Sequence, residues 1–137
     1  MSASIDVYRS INLGTAHPRD LIVKLFSTAV RGLREAETAL AGGEKADEPL
    51  NRVQAIVGGL MTALDFEAGE LPRKLLNLYL FVLDRVHEST AASRDVGLAE
   101  ARTVLETLLS AWEEMPAEAA RQATRPPEAS PGLNLRG

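Results

Sequence analysis

Four amphipathic segments, short turn-forming breaks between them and no competing strand pattern predict an all-α fold for this chain of 137 residues. Four such helices joined by short loops make an antiparallel up-down-up-down four-helix bundle. Composition points the same way: Ala and Leu are abundant and aromatic residues make up only 4%, which suits helices better than a sheet. The expected organisation is an N-terminal arm over residues 1–16, a bundle over 17–115, and a Pro-rich disordered tail over 116–137.

The arm carries scattered apolar residues, Ile5, Val7, Tyr8, Ile11 and Leu13, and ends at Gly14 and Thr15. It is too short and broken to form a core of its own. If it lies on the bundle, it covers a groove that a partner also uses; otherwise it is a frayed terminus. Pro18 suits the first turn of helix 1, where its missing N–H is not needed, with His17 or Thr15 before it as cap and Asp20 at the positive end of the dipole. Leu21, Ile22, Leu25, Phe26, Ala29, Leu33, Ala36 and Leu40 share one face, and Gly42-Gly43 stops the helix.

Asp47 is placed to cap helix 2, with Pro49 in its first turn and an expected span of 48–66. Leu50, Val53, Val57, Leu60 and Leu64 step by three and four, as a bundle seam requires. Gly58-Gly59 lies inside that seam at a cost of about 1 kcal/mol per glycine relative to alanine. Close approach of another backbone would use that cost; a mild kink or plain tolerance is the alternative. Helix 3 begins between Gly69 and Pro72 and runs to about Ser89; the short connection makes it antiparallel to helix 2. Asp95 caps helix 4, which runs to about Met115 with Leu98, Ala101, Leu105, Leu108 and Trp112 inward and Val104 and Leu109 widening the stripe. Beyond it, Pro126, Pro127, Pro131, Gly132 and Gly137 break any periodicity.

Charge and composition exclude several roles. Fifteen basic and 19 acidic residues give a net charge of −4, against a nucleic-acid surface. There is no cysteine, hence no disulfide framework and no thiolate chemistry. The start, Met1-Ser2-Ala3-Ser4-Ile5-Asp6, lacks a basic region followed by an apolar stretch, so no signal peptide is expected. The longest apolar run, Leu75 to Leu83, is about half a bilayer span.

Chemistry is equally sparse. A di-iron bundle needs Glu-x-x-His pairs on two helices, whereas the chain has only His17 and His87. Ser27, Ser89, Ser93 and Ser110 lie in no motif that would activate a nucleophile. Gly58-Gly59 does not sit between a strand and a helix, so it is no phosphate loop. Asp65, Glu67 and Glu70 read as a solvated corner or as capping charges. No catalytic residue, metal site or cofactor is expected.

The informative stretch is Leu75 to Leu83, where only Asn77 is polar. At about 100° per residue, Leu75, Leu76, Leu78, Tyr79, Val82, Leu83 and Val86 form one broad face. Leu80 and Phe81 fall outside it, beside Asn77 and Asp84. A helix in a small domain needs one apolar face, and this one has more. Either the core stripe is wide or the surplus packs against a partner.

The order of these pieces resembles the flagellar export chaperone family, FliS. Tyr8 sits in an N-terminal arm, and Ala16-His17-Pro18-Arg19-Asp20-Leu21 opens helix 1. Leu25-Phe26 stands where the family has Leu-Tyr. The run from Leu60 to Leu75 is similar to the family's helix 2–helix 3 junction. Leu78-Tyr79, Phe81, Leu83 and Arg85 resemble its helix 3 signature, Asp95 opens helix 4 and Trp112 closes it. The likeness covers Tyr8 to Met115. The chain departs from the pattern at His17, Phe26, Gly58-Gly59 and Pro72.

The resemblance implies a cytosolic export chaperone that binds the C-terminal segment of flagellin in apolar grooves, prevents premature polymerisation and aids secretion without ATP or cofactor. The flagellar export apparatus is a further implied partner; nucleic acid and a membrane span are not. Leu80 and Phe81 are the expected groove residues. Leu64 and Tyr79 line the groove or belong to the core, and Leu75, Leu78 and Trp112 are expected in the core. Val7, Tyr8 and Ile11 are the candidate lid, which the resemblance implies must move. Three alternatives stay open: a helical adaptor that binds another protein's helix with no secretion role, a small bundle enzyme, and a homodimer that buries Leu80 and Phe81 against itself.

Overall fold

The computed structural model describes residues 18–114. The expected arm, with Val7, Tyr8 and Ile11, and the expected tail over 116–137 lie outside the described residues. Four α-helices fill the described part: α1 (Pro18–Ala41), α2 (Asp47–Thr62), α3 (Leu71–Ala92) and α4 (Leu98–Glu114), with a 3₁₀ turn at Phe66–Ala68. Each helix packs on two neighbours, α1 on α2 and α4, and α3 on α2 and α4. This is the up-down-up-down bundle that periodicity and loop length predict.

The ends follow local chemistry. Gly43 takes φ +77, and the Gly43 and Glu44 N–H groups donate to the Leu40 and Ala39 carbonyls, which closes α1. Asp47 is the first residue of α2 rather than its cap. The cap position is Ala46, which has no side-chain acceptor, so Asp47 acts only as a negative charge in the first turn. α2 runs unbroken through Gly58-Gly59 but stops at Thr62, four residues short of the expected end. There Asp65 turns extended, and its Oδ1 accepts a hydrogen bond from the Glu67 N–H at 3.1 Å. A short acceptor side chain thus offers the backbone an alternative to another helical turn.

α3 reaches Ala92 and ends on Ser93, a left-handed residue at φ 54. Behind it, the Ser93 N–H donates to the Thr90 carbonyl and the Arg94 N–H to the Ser89 carbonyl. Asp95 caps α4, its Oδ1 accepting from the Leu98 N–H at 2.9 Å. Ser89, fully buried, accepts the Val96 N–H on its Oγ at 2.8 Å, which fixes the α3–α4 turn to the core.

The core is aliphatic around one aromatic cluster. Phe26 of α1 lies 6.2 Å, centroid to centroid, from both Tyr79 of α3 and Trp112 of α4, each pair tilted by 43°. Three helices are therefore joined through one ring, at a separation where aromatic pairs attract. α2 reaches the core with Leu50, Val53, Ile56, Val57 and Leu60. α1 and α2 approach closely at Gly32, where a Cβ would stand 2.8 Å from Val53 Cγ2 and 3.4 Å from the Pro49 carbonyl oxygen.

Candidate partner-binding surface

α3 meets the core along Leu75, Tyr79, Val82 and Val86. That leaves apolar residues on both of its flanks. On one flank lie Leu71, Leu78 and Phe81, then Arg85, at helical steps of seven, three and four; on the other, Leu80 lies beyond half-buried Leu76 and Leu83. Leu80 is 46% exposed, Leu71 39%, and Leu78 and Phe81 37% each. Phe66, in the 3₁₀ turn that packs on α3, is 43% exposed. All five large exposed apolar residues among the described residues thus belong to α3 or the turn leading into it.

The first flank borders α4. Gly97, at the start of α4, lies against Arg85: a Cβ there would be 2.7 Å from Arg85 Cδ. On α4, Arg102 and Glu106 bond Glu37 and Arg34 of α1, so that side of α4 faces α1. Val104 and Leu108 lie roughly opposite on the helical wheel and are only half-buried. Leu71, Leu78 and Phe81 of α3 and Val104 and Leu108 of α4 therefore lie on the sides of the two helices that border their shared seam.

At one end of this flank the Arg85 guanidinium sits 5.7 Å from the Phe81 ring centroid. Its Nη2 donates to Asp84 Oδ2 at 2.6 Å and lies 3.3 Å from Glu88 Oε1. The Asp84 hydrogen bond raises the Arg85 pKa above its ordinary value, against a smaller opposing effect of burial; Glu88 and Glu100 of α4 add to the rise. Arg85 is a fixed cation at every accessible pH.

The expected groove residues divide. Leu80 and Phe81 are exposed. Leu64 and Tyr79, expected to line the groove or belong to the core, are 4% and 0% exposed and belong to the core. Tyr79 is inward because it lies within the buried arc of α3, against Phe26. Leu75 and Trp112 are buried, as core residues should be, whereas Leu78 is not. Its direction lies about 70° from the centre of the buried arc, which leaves it at the rim. Phe66, Leu71 and Leu78 are the surface residues that sequence reasoning missed. The step from Leu71 through Leu78 to Phe81 was the available signal.

Other features are less distinctive. A cavity of about 350 Å³ lies where the α1–α2 turn meets the end of α3, lined by Leu40, Lys45, Asp47, Ser89 and Thr90 among others. Ser89 there already serves the backbone. His87 is exposed, and no group of three or more His, Cys, Asp or Glu comes together among the described residues. Among the described residues no helix is long and apolar enough to cross a membrane.

Fold and surface define a class: a small helical bundle that keeps an apolar helix flank open to solvent. The chain belongs to the FliS family, whose model, described as Flagellar protein FliS, matches residues 1–119. That family is one of flagellar export chaperones and not of enzymes. No curated protein and no solved structure matches the chain.

Proposed function

We propose that this protein is a cytosolic chaperone that binds the C-terminal segment of flagellin along the apolar flanks of α3, keeps that segment from polymerising prematurely and delivers it for secretion. The observation that carries the reading is the concentration of exposed Phe66, Leu71, Leu78, Leu80 and Phe81 on one helix and its lead-in turn in a member of the FliS family. Each large side chain buried against a guest contributes about 1.5–3 kcal/mol before the cost of ordering a disordered segment is subtracted. The recognition mode is an apolar segment laid into a furrow. Affinity alone drives it, with no cofactor. The arm with Val7, Tyr8 and Ile11 is the lid of this reading: it covers the same surface and lowers the apparent affinity by the fraction of closed molecules. The flagellar export apparatus is the receiving partner.

Calorimetric titration of the full chain with a synthetic flagellin C-terminal segment tests the reading. Saturable binding is expected, weakened at least tenfold by Phe81→Asp with helicity retained, and tightened by deletion of residues 2–13. Absence of binding by the wild-type chain contradicts the chaperone reading. A different sole partner recovered by pull-down favours the helical adaptor.

A further inference from the structure

Phe81 has a neighbour built to hold it. A phenylalanine on an open helix flank is free to change rotamer, and a surface arginine loses roughly 2 kcal/mol of rotamer entropy when fixed. Arg85 is nevertheless fixed from several sides. Asp84 takes its Nη2 at 2.6 Å, Glu88 lies 3.3 Å from the same nitrogen, and Glu100 faces it from α4. Its Cδ fills the space where a side chain at position 97 would begin, and a Cβ at Gly97 would also lie 3.2 Å from its Nη1. Gly97 is favoured by its own φ of +79, and a Cβ there would also press on the Arg85 side chain. The Arg85 Nε is buried and makes no hydrogen bond, so the guanidinium is not placed to maximise its bonds. It is placed over the Phe81 ring.

We infer that Arg85 is a positioning residue, which locks the Phe81 ring in one rotamer and so presents it preformed to the guest segment. The value of this to binding rests on the function proposed above; the locking itself does not. A preformed anchor spares the ordering cost that a free side chain brings to an interface. The effect is local, because among the described residues Arg85 makes its ion pairs within α3 and lies against the first turn of α4.

The test compares the full-length wild-type chain with Arg85→Met, Arg85→Lys, Phe81→Leu and the double variant Phe81→Leu/Arg85→Met. In the free protein, nuclear Overhauser contacts should join the Arg85 side chain to the Phe81 ring, and three-bond couplings should report one Phe81 χ1 rotamer. Arg85→Met should replace that rotamer with an average. A single rotamer kept in Arg85→Met overturns the inference, whatever the guest does. In titrations with the flagellin C-terminal segment, Arg85→Met should weaken binding about two- to fivefold, the range of an exposed cation–π contact. The same change should have no further effect in the Phe81→Leu background. Equal weakening in both backgrounds, or full recovery by Arg85→Lys, assigns Arg85 a direct or purely electrostatic role and overturns the inference. No binding by the wild type sinks the chaperone reading, while the couplings still decide the locking.

Discussion

At the scale of single residues, small side chains hold this fold at points where a larger one would not fit or would strain. Ser93 ends α3 at φ 54, a conformation that costs an L-residue about 1 kcal/mol and glycine almost nothing. Ser93→Gly is therefore expected to raise stability by about 0.5–1 kcal/mol, read as a higher midpoint in chemical denaturation. Gly32 is the opposite case. Alanine there gains about 1 kcal/mol of helix propensity but drives a methyl to 2.8 Å from Val53 Cγ2, and Val53 is fully buried. Overpacking of a tight contact costs about 1–3 kcal/mol, so Gly32→Ala should be destabilising by about 1 kcal/mol net in the same assay. Neither position was legible in the sequence. Gly32 sits in an unremarkable helical pattern, and only the crossing of α2 reveals that its missing side chain is needed. Thr90, Ala91 and Ala92 add no large apolar side chain to the period beyond Ser89, so the sequence does not show that α3 continues to Ala92 and ends on Ser93.

At the scale of elements, the helices are joined by different means. Ion pairs between helices tie α1 to its neighbours: Arg102 of α4 grips Glu37 through two bonds of 2.6 and 3.1 Å, Arg34 pairs with Glu106, and Arg52 of α2 pairs with Glu35. The hydrogen bond to Glu37 is the main cause that raises the Arg102 pKa, so this cation stays charged throughout. Arg102 and Glu37 are mostly buried at 23% and 20% side-chain exposure, unlike the more open Arg34. Glu37→Gln should therefore cost about 1 kcal/mol, with the difference from wild type shrinking in high salt; a difference that salt leaves unchanged would mean that packing, not charge, joins α1 to α4 there. Among the described residues α3 makes its ion pairs within itself and meets its neighbours by apolar packing. Existence and order of all four helices were legible because their apolar periods are long. Boundaries were less so: α2 ended early because the Asp65 side chain competes for the backbone, a local choice that periodicity does not encode.

At the scale of the whole molecule, the bundle closes its core and still leaves α3 with apolar flanks. The surplus was visible in the sequence as Leu80 and Phe81 outside the expected face. Its full extent was not, because a helical wheel gives direction but not the spacing of neighbouring helices. Leu78 shares the broad face with Leu75, yet it stays at the rim, 37% exposed, while Leu75 is buried. For the same reason Leu64 and Tyr79, equally apolar on paper, are interior. A chain that shows five large apolar residues on one helix and its lead-in turn carries a surface suited to a partner. The heat capacity change on binding the flagellin C-terminal segment, from titrations at several temperatures, tests this most directly, because burial of apolar area makes that change negative. The account predicts a clearly negative value for the wild-type chain that shrinks in a Leu78→Ser/Phe81→Ser variant of unchanged helicity; a value near zero, or one that the double substitution leaves untouched, would contradict it.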